Sequence, residues 1–204
     1  MISVDWIGFC LASIAVVLAP GPGSVFVAKT SAMAHIRAGV MAMMGIMIGD
    51  LCLIFLSLVG VSALFRAYPS LFHIIRLFGA GYLIFLGLQS IFLKPEQGSE
   101  RMQSNGLPFR RAFSITLLNP KAVFFFLTFF PVFIKSTENG LVIAYALMTL
   151  VFMTISAIYL SFLIQASSKL ALAFQQNRML QSIARRLCGC VFLGFGLKVT
   201  LISK

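Results

Sequence analysis

One carboxylate in this chain sits where a carboxylate is costly. Asp50 falls near the middle of an apolar run, Gly39–Phe65, and is the only acidic residue inside any predicted membrane span. Insertion scales put an acid at that depth at roughly 2.5–3.5 kcal/mol, and such a group normally faces a cavity or a partner and is functional by default. The plainer alternatives are a structural pair with Lys29 or Lys121, or a permanently protonated acid. Lys121 is the second candidate. It lies several residues inside an apolar run and directly follows Pro120. It reads either as a counter-charge for a substrate carboxylate or for Asp50, or as a side chain snorkelling to the interface.

The remaining candidate chemistry belongs to the backbone. APGPGSVF, Ala19 to Phe26, and LNPKAVFF, Leu118 to Phe125, both interrupt hydrophobic segments, and Pro22 and Pro120 stand 98 residues apart. A proline inside a membrane helix loses a backbone hydrogen bond that lipid cannot replace, so such a break faces protein or a water-filled cavity. The residue before a proline avoids α geometry, so Gly21 and Asn119 are the expected break points. A helix that resumes after a break presents unpaired N–H groups and a partial positive charge, which suits an anion such as an amino-acid carboxylate. Matched breaks in two halves of a chain are a sequence pointer to a transporter's substrate site. The candidate substrate- and ion-binding residues are therefore Pro20, Gly21, Pro22, Gly23, Asp50, Asn119, Pro120 and Lys121. The bland reading of the prolines is that they only kink packed helices.

Other features are less specific. Gly45 and Gly49 form a GxxxG step directly before Asp50, which lets a neighbouring helix approach closely. Tyr82 and Tyr159 are candidate polar pocket residues, and the many Phe of LNPKAVFFFLTFF supply core or an apolar pocket wall. The four cysteines, Cys10, Cys52, Cys188 and Cys190, lie in or beside apolar runs with no CxxC and read as small packing residues. His35 and His73 sit at segment ends. No metal or other cofactor is expected. There is no Ser-His-Asp set, no HExxH and no GxxxxGK[ST] phosphate loop, so the chain does not read as an enzyme or an ATP-driven pump.

These residues need elements to hold them. Of the 204 residues 60% are hydrophobic and 10% charged, with mean hydropathy +1.01, so the surrounding solvent must be largely lipid. The net charge of +11 does not imply nucleic acid, because the basic residues lie between apolar runs. Six segments are long enough to span: Trp6–Ala28, Gly39–Phe65, Leu71–Leu93, Ala112–Ile134, Leu141–Gln165 and Ile183–Ile202. The sixth is interrupted by Arg185, Arg186 and Lys198, so a five-span arrangement stays open. The first lacks a basic leader and reads as a retained span rather than a signal peptide.

Ten of the 16 Lys and Arg fall in the loops after spans one, three and five, against five on the other side, with Lys121 counted on neither. The positive-inside rule then puts those three loops in the cytoplasm and both termini outward. The polar stretch Lys94–Arg111 reads as a linker, with repeat 1 at about 1–93 and repeat 2 at about 112–204. Three spans per half force the halves to run in opposite directions. The expected fold is therefore an all-α integral membrane protein, a single domain over 1–204, with six helices as two inverted three-helix repeats. Ser168–Ser182 is expected to form a short helix on the cytoplasmic surface.

The motifs APGPGSVFVAKTS, GIMIGD, RLFGAGYLIFLGLQSI and SITLLNPKAVFFFLTFFPVFI resemble the LysE/RhtB family of bacterial amino-acid exporters over nearly the whole chain. HIIRLFGAGYLIFLG and AIYLSFLI carry a closer likeness to the family's leucine exporters. The resemblance implies an inner-membrane secondary transporter that exports small neutral or apolar amino acids such as leucine, by proton antiport. Its partners would be the amino acid, the proton and membrane lipid, with no nucleic acid and with room for a homo-oligomer. The family usually carries Asn after PGP, where this chain has Gly23. The competing expectations are an exporter of homoserine, threonine or another amino-acid-like solute, and, more remotely, a channel or a membrane assembly factor.

Overall fold

The computed structural model describes residues 4–19, 21–67, 71–92, 107–134, 140–166 and 178–202. Within them every regular element is a helix: α1 Trp6–Leu18, α2 Pro22–Met33, α3 Ile36–Ala67, α4 Leu71–Phe92, α5 Pro108–Leu118, α6 Pro120–Val132, α7 Leu141–Gln165 and α8 Arg178–Ile202. Prolines set three of the starts. Pro22, Pro108 and Pro120 each open a helix, where the missing N–H costs nothing and the fixed φ is already helical. Gly140 precedes α7 at φ 140°, a left-handed conformation that favours glycine.

Several boundaries differ from those read off hydropathy. The fourth segment begins at Pro108 rather than Ala112, so Arg110 and Arg111 belong to α5 and not to the linker. Hydropathy tracks where the chain becomes apolar, whereas the helix starts where proline fixes the backbone. The first segment runs on to Met33, and the last begins at Arg178. Arg178–Ser182 therefore opens α8; the rest of the expected surface helix, like most of the linker, lies outside the described residues.

Among the described residues, two stretches are long and apolar enough to cross a membrane, Ile36–Ser62 of α3 and all of α7. The pair α1 and α2, bent by 52°, makes a third, while α4 and α8 carry shorter apolar stretches, Leu77–Phe92 and Arg186–Leu197. Large apolar side chains cover the outside: Ile7 is 78% exposed, Phe78 73% and Phe55 66%. So much outward-facing apolar surface identifies a membrane protein.

The two broken segments lie antiparallel. At one end the start of α1 meets the end of α6: the Asp5 N–H donates to the Phe133 carbonyl at 3.0 Å, and Val4 bridges Ile134. The Phe9 ring contacts those of Phe129, Phe130 and Phe133, with centroids 5.4–5.6 Å apart. At the other end α2 meets α5, with the Arg111 guanidinium 5.8 Å from the centre of the Phe26 ring.

Glycines bring the remaining helices close. Gly45 and Gly49 lay α3 against α5: a Cβ on Gly45 would strike the Phe109 carbonyl, and one on Gly49 would lie 2.8 Å from Thr116. On α4 and α8, Gly87 faces the Gly189 carbonyl and Leu193, Gly189 faces the Gly87 carbonyl and Ile91, and Gly196 faces the Ala80 carbonyl and Ile84. Two apolar clusters result. The larger gathers Phe9, Phe129, Phe130, Phe133 and Tyr145, and the smaller Phe26, Val27, Ala42, Ile46, Ala112 and Leu163.

Candidate functional site

Both breaks fall one residue before proline. Gly21 is extended at φ −123°, ψ 171°, and Asn119 at φ −78°, ψ 107°. The Pro ring excludes α geometry there, so the helix must stop and restart. Beyond each break the restart is alike: the Val25 N–H donates to Gly21 and the Val123 N–H to Asn119, both at 3.1 Å. The first amides of α2 and α6 have no carbonyl one turn back within their own helix. At the first break the Ser24 side chain folds back on the break, its hydroxyl accepting from the Gly21 N–H and donating to the Gly21 carbonyl, each at 3.1 Å.

The breaks border one cavity of about 180 Å³, to which all eight helices contribute. An apolar cavity of about 150 Å³ holds benzene, so the space suits a solute of that order. Gly21, Pro22, Gly23 and Ser24 form one wall, and Ile115, Thr116, Asn119 and Ala122 form the facing one. Asp50 and Ile46 enter from α3, and Ser156, Tyr159 and Phe152 from α7. Phe125, Phe126 and Phe192 add apolar surface, and Ser90 of α4 adds a hydroxyl. Asp50 is only 7% exposed and is the sole buried charged residue among those described. Its position follows from local packing, because Gly45 and Gly49 hold its turn of α3 against α5.

Of the residues singled out in the sequence, Gly21, Pro22, Gly23, Asp50 and Asn119 line this cavity together, as does Tyr159. Pro120 and Lys121 form the first turn of α6, between the lining residues Asn119 and Ala122; their side chains lie outside the described ones. Pro20 also lies outside the described residues. Tyr82 is a correction: it is not among the lining residues but packs beside Phe85, ring centroids 6.2 Å apart, one turn along α4. The hydroxyls of Ser24, Ser90, Thr116 and Ser156 were not legible in the sequence, where isolated Ser and Thr in apolar helices carry no pattern. The Thr116 hydroxyl donates to the Ala112 carbonyl at 3.2 Å, the back-bonding that lets such a residue sit silently in a membrane helix.

A helical membrane protein with two antiparallel broken segments, a cavity bordered by both breaks and one buried acid among the described residues has the build of a solute translocator. The family comparison agrees: the profile of the LysE type translocators matches residues 14–203, and the chain belongs to that family. The resemblance seen in the two proline motifs thus extends along the chain. An uncharacterized membrane protein of Pseudomonas aeruginosa is 34% identical over 203 residues, covering 96% of this chain and 94% of the relative. Leucine efflux proteins of Salmonella typhimurium and Klebsiella pneumoniae are 32% and 30% identical, covering 96% and 98% of this chain and 94% and 96% of their own. No solved structure matches.

Proposed function

We propose that this protein is a secondary transporter that exports small apolar amino acids, leucine among them, by exchange for protons. The observation that carries the reading is the meeting of Asp50, Gly21–Ser24 and Asn119 in one cavity of about 180 Å³. The substrate carboxylate meets the restarted helix ends at Gly21–Gly23 and Asn119–Lys121, where amides and helix dipoles favour an anion. The ammonium meets ionised Asp50. Phe125, Phe126, Phe152 and Phe192 accept the apolar side chain. The leucine efflux proteins among the relatives support the substrate class.

Proton and substrate ammonium compete for Asp50. With the cavity open inward, Asp50 releases its proton to the cytoplasm and binds substrate. Open outward, protonation of the carboxylate displaces the ammonium and resets the carrier. Competition for one group is enough to tie proton entry to substrate exit. The arrangement fits six spans in two inverted repeats, counting α1 with α2 and α5 with α6 as single broken spans. Supporting it are the antiparallel run of those spans and the pairing of α4 with α8, the third span of each half. On the charge bias, the end bearing His35 and Pro108 is cytoplasmic and the end bearing Asp5 and Ile134 faces outward, both termini with it.

Purified protein in proteoliposomes tests the proposal. Labelled leucine efflux driven by an acid exterior, followed together with internal pH, is expected in the wild type and lost in Asp50→Asn. Undiminished pH-driven leucine transport by the variant would overturn it.

A further inference from the structure

Outward of the cavity the core is almost wholly apolar, yet among the described residues it buries the hydroxyls of Ser13, Ser57 and Tyr145. Ser57 of α3 and Tyr145 of α7 share a hydrogen bond of 3.2 Å between their hydroxyl oxygens. Their exposures are 0% and 1%. Ser13 of α1 is also 0% exposed, and its hydroxyl has no hydrogen-bond partner among the described residues. A buried hydroxyl left unpaired costs free energy and calls for an explanation, a water or a function among them.

Position supplies one. Ser57 follows Asp50 by seven residues on the same helix. Seven residues are close to two turns, so the two side chains share a face of α3 about 10 Å apart along its axis. Tyr145 precedes the cavity-lining Phe152 by seven on α7 in the same way. Ser13 lies one turn from Val16 and Val17, which line the cavity, and one turn from Phe9, whose ring packs on Phe129, Phe130 and Phe133. Ser57 and Tyr145 thus stand about two turns from the cavity lining toward the Asp5 end, where Tyr145 is itself part of the aromatic cluster. Around the pair the contacts are rings: Phe130 stacks on Tyr145 with centroids 5.3 Å apart, and Phe126 and Phe152 both touch Phe130. The acids at the two ends are Asp50 in the cavity and Asp5, whose carboxylate accepts from the Gly8 N–H at 3.1 Å.

We infer that the hydrogen-bonded pair of Ser57 and Tyr145 lies on the route by which protons from the outer face reach Asp50. The inference rests on the antiport reading of Asp50. Each hydroxyl accepts a hydrogen on one side and gives up its own on the other, so one proton leaves the outer solution and one arrives on the Asp50 carboxylate, with the hydroxyls unchanged. The relay needs water from the cavity to bridge the interval of about 10 Å between Ser57 and Asp50. The phenyl rings bar the larger amino acid from the same route.

Tyr145→Phe keeps the ring and its stacking and removes only the hydroxyl. In proteoliposomes, efflux of labelled leucine driven by an acid exterior should fall about tenfold or more, the effect of leaving one polar link unmade. Exchange of labelled for unlabelled leucine at equal pH on both sides requires no net proton movement and should keep its wild-type rate, which also reports an intact fold. Ser57→Ala should show the same split. If both activities fall together, or if neither changes, the route is wrong. Coupling that Asp50→Asn abolishes but Tyr145→Phe and Ser57→Ala spare would leave the role of Asp50 standing and overturn the route alone. A wild type that exchanges leucine without any response to pH would overturn both.

Discussion

Gly21 and Asn119, 98 positions apart, hold the same extended backbone in front of the same residue type and border the same cavity. Each is an interruption that lipid alone would not tolerate, and each faces the cavity instead. The antiparallel run of the two segments brings the breaks to a common level: α1 starts where α6 ends, and Phe26 in α2 meets Arg111 near the start of α5.

The breaks should be necessary for transport and dispensable for folding. Pro22→Ala and Pro120→Ala permit a continuous helix through Gly21 and Asn119 and turn the first amides away from the cavity. Misplacing binding groups by an ångström can cost on the order of 100-fold, so leucine efflux should fall that far while helical circular dichroism stays the same or rises.

Gly23 sets the size of the cavity. A Cβ there would come within 3.0 Å of the Ile46 Cδ1, and both residues line the space. Gly23→Val should therefore disfavour leucine against alanine, by about tenfold in competition for transport, the usual worth of a methylene or two in an apolar pocket. Equal loss for both amino acids would mean that Gly23 shapes the backbone rather than the pocket.

The α3–α5 contact should tolerate no side chain. Gly49→Leu forces a branched chain into Thr116 and should lower stability by about 1–3 kcal/mol, read as a drop in the melting midpoint in detergent. Gly60→Ala is the control: nothing lies within 4 Å of a Cβ there, so the midpoint should hold or rise slightly.

Inside and outside should separate among the phenylalanines. Phe9→Ala empties a site enclosed by three rings and should cost about 3 kcal/mol, whereas Phe55→Ala, on a side chain 66% exposed, should cost little. Orientation has its own check: His35→Cys, at the exposed turn between α2 and α3, should react with an impermeant thiol reagent only after the cytoplasmic face is opened.

Much of the site could be read from the chain because proline acts locally. Pro22 and Pro120 dictate their own helix starts and forbid α geometry in the residue before, whatever the surroundings. Asp50 was legible for a related reason, since a charge in an apolar run needs a cavity wherever the run is placed. The hydroxyls around them were not. Tyr159 could be picked out as a polar pocket candidate, but every face of α7 is apolar, so neither hydropathy nor period says that Ser156 turns inward while Ile158 and Phe162 turn out. The Ser57–Tyr145 bond joins residues 88 positions apart and leaves no local trace. The start of α5 was misplaced because Arg110 and Arg111 made a helical turn look like a loop; Arg111 is instead held over Phe26.

The α4–α8 contact bears on how such a protein can move. Ile84, Ile91 and Leu193 each plug the gap left by a glycine on the opposite helix. A slip of one turn, about 5.4 Å, would drive those branched chains into backbone instead. The two helices are thereby keyed to one another like teeth in a rack, and they must travel as a single strut. Any swing that exposes the cavity first to one side and then to the other is left to the jointed segments, whose hinges are the two residues ahead of the prolines.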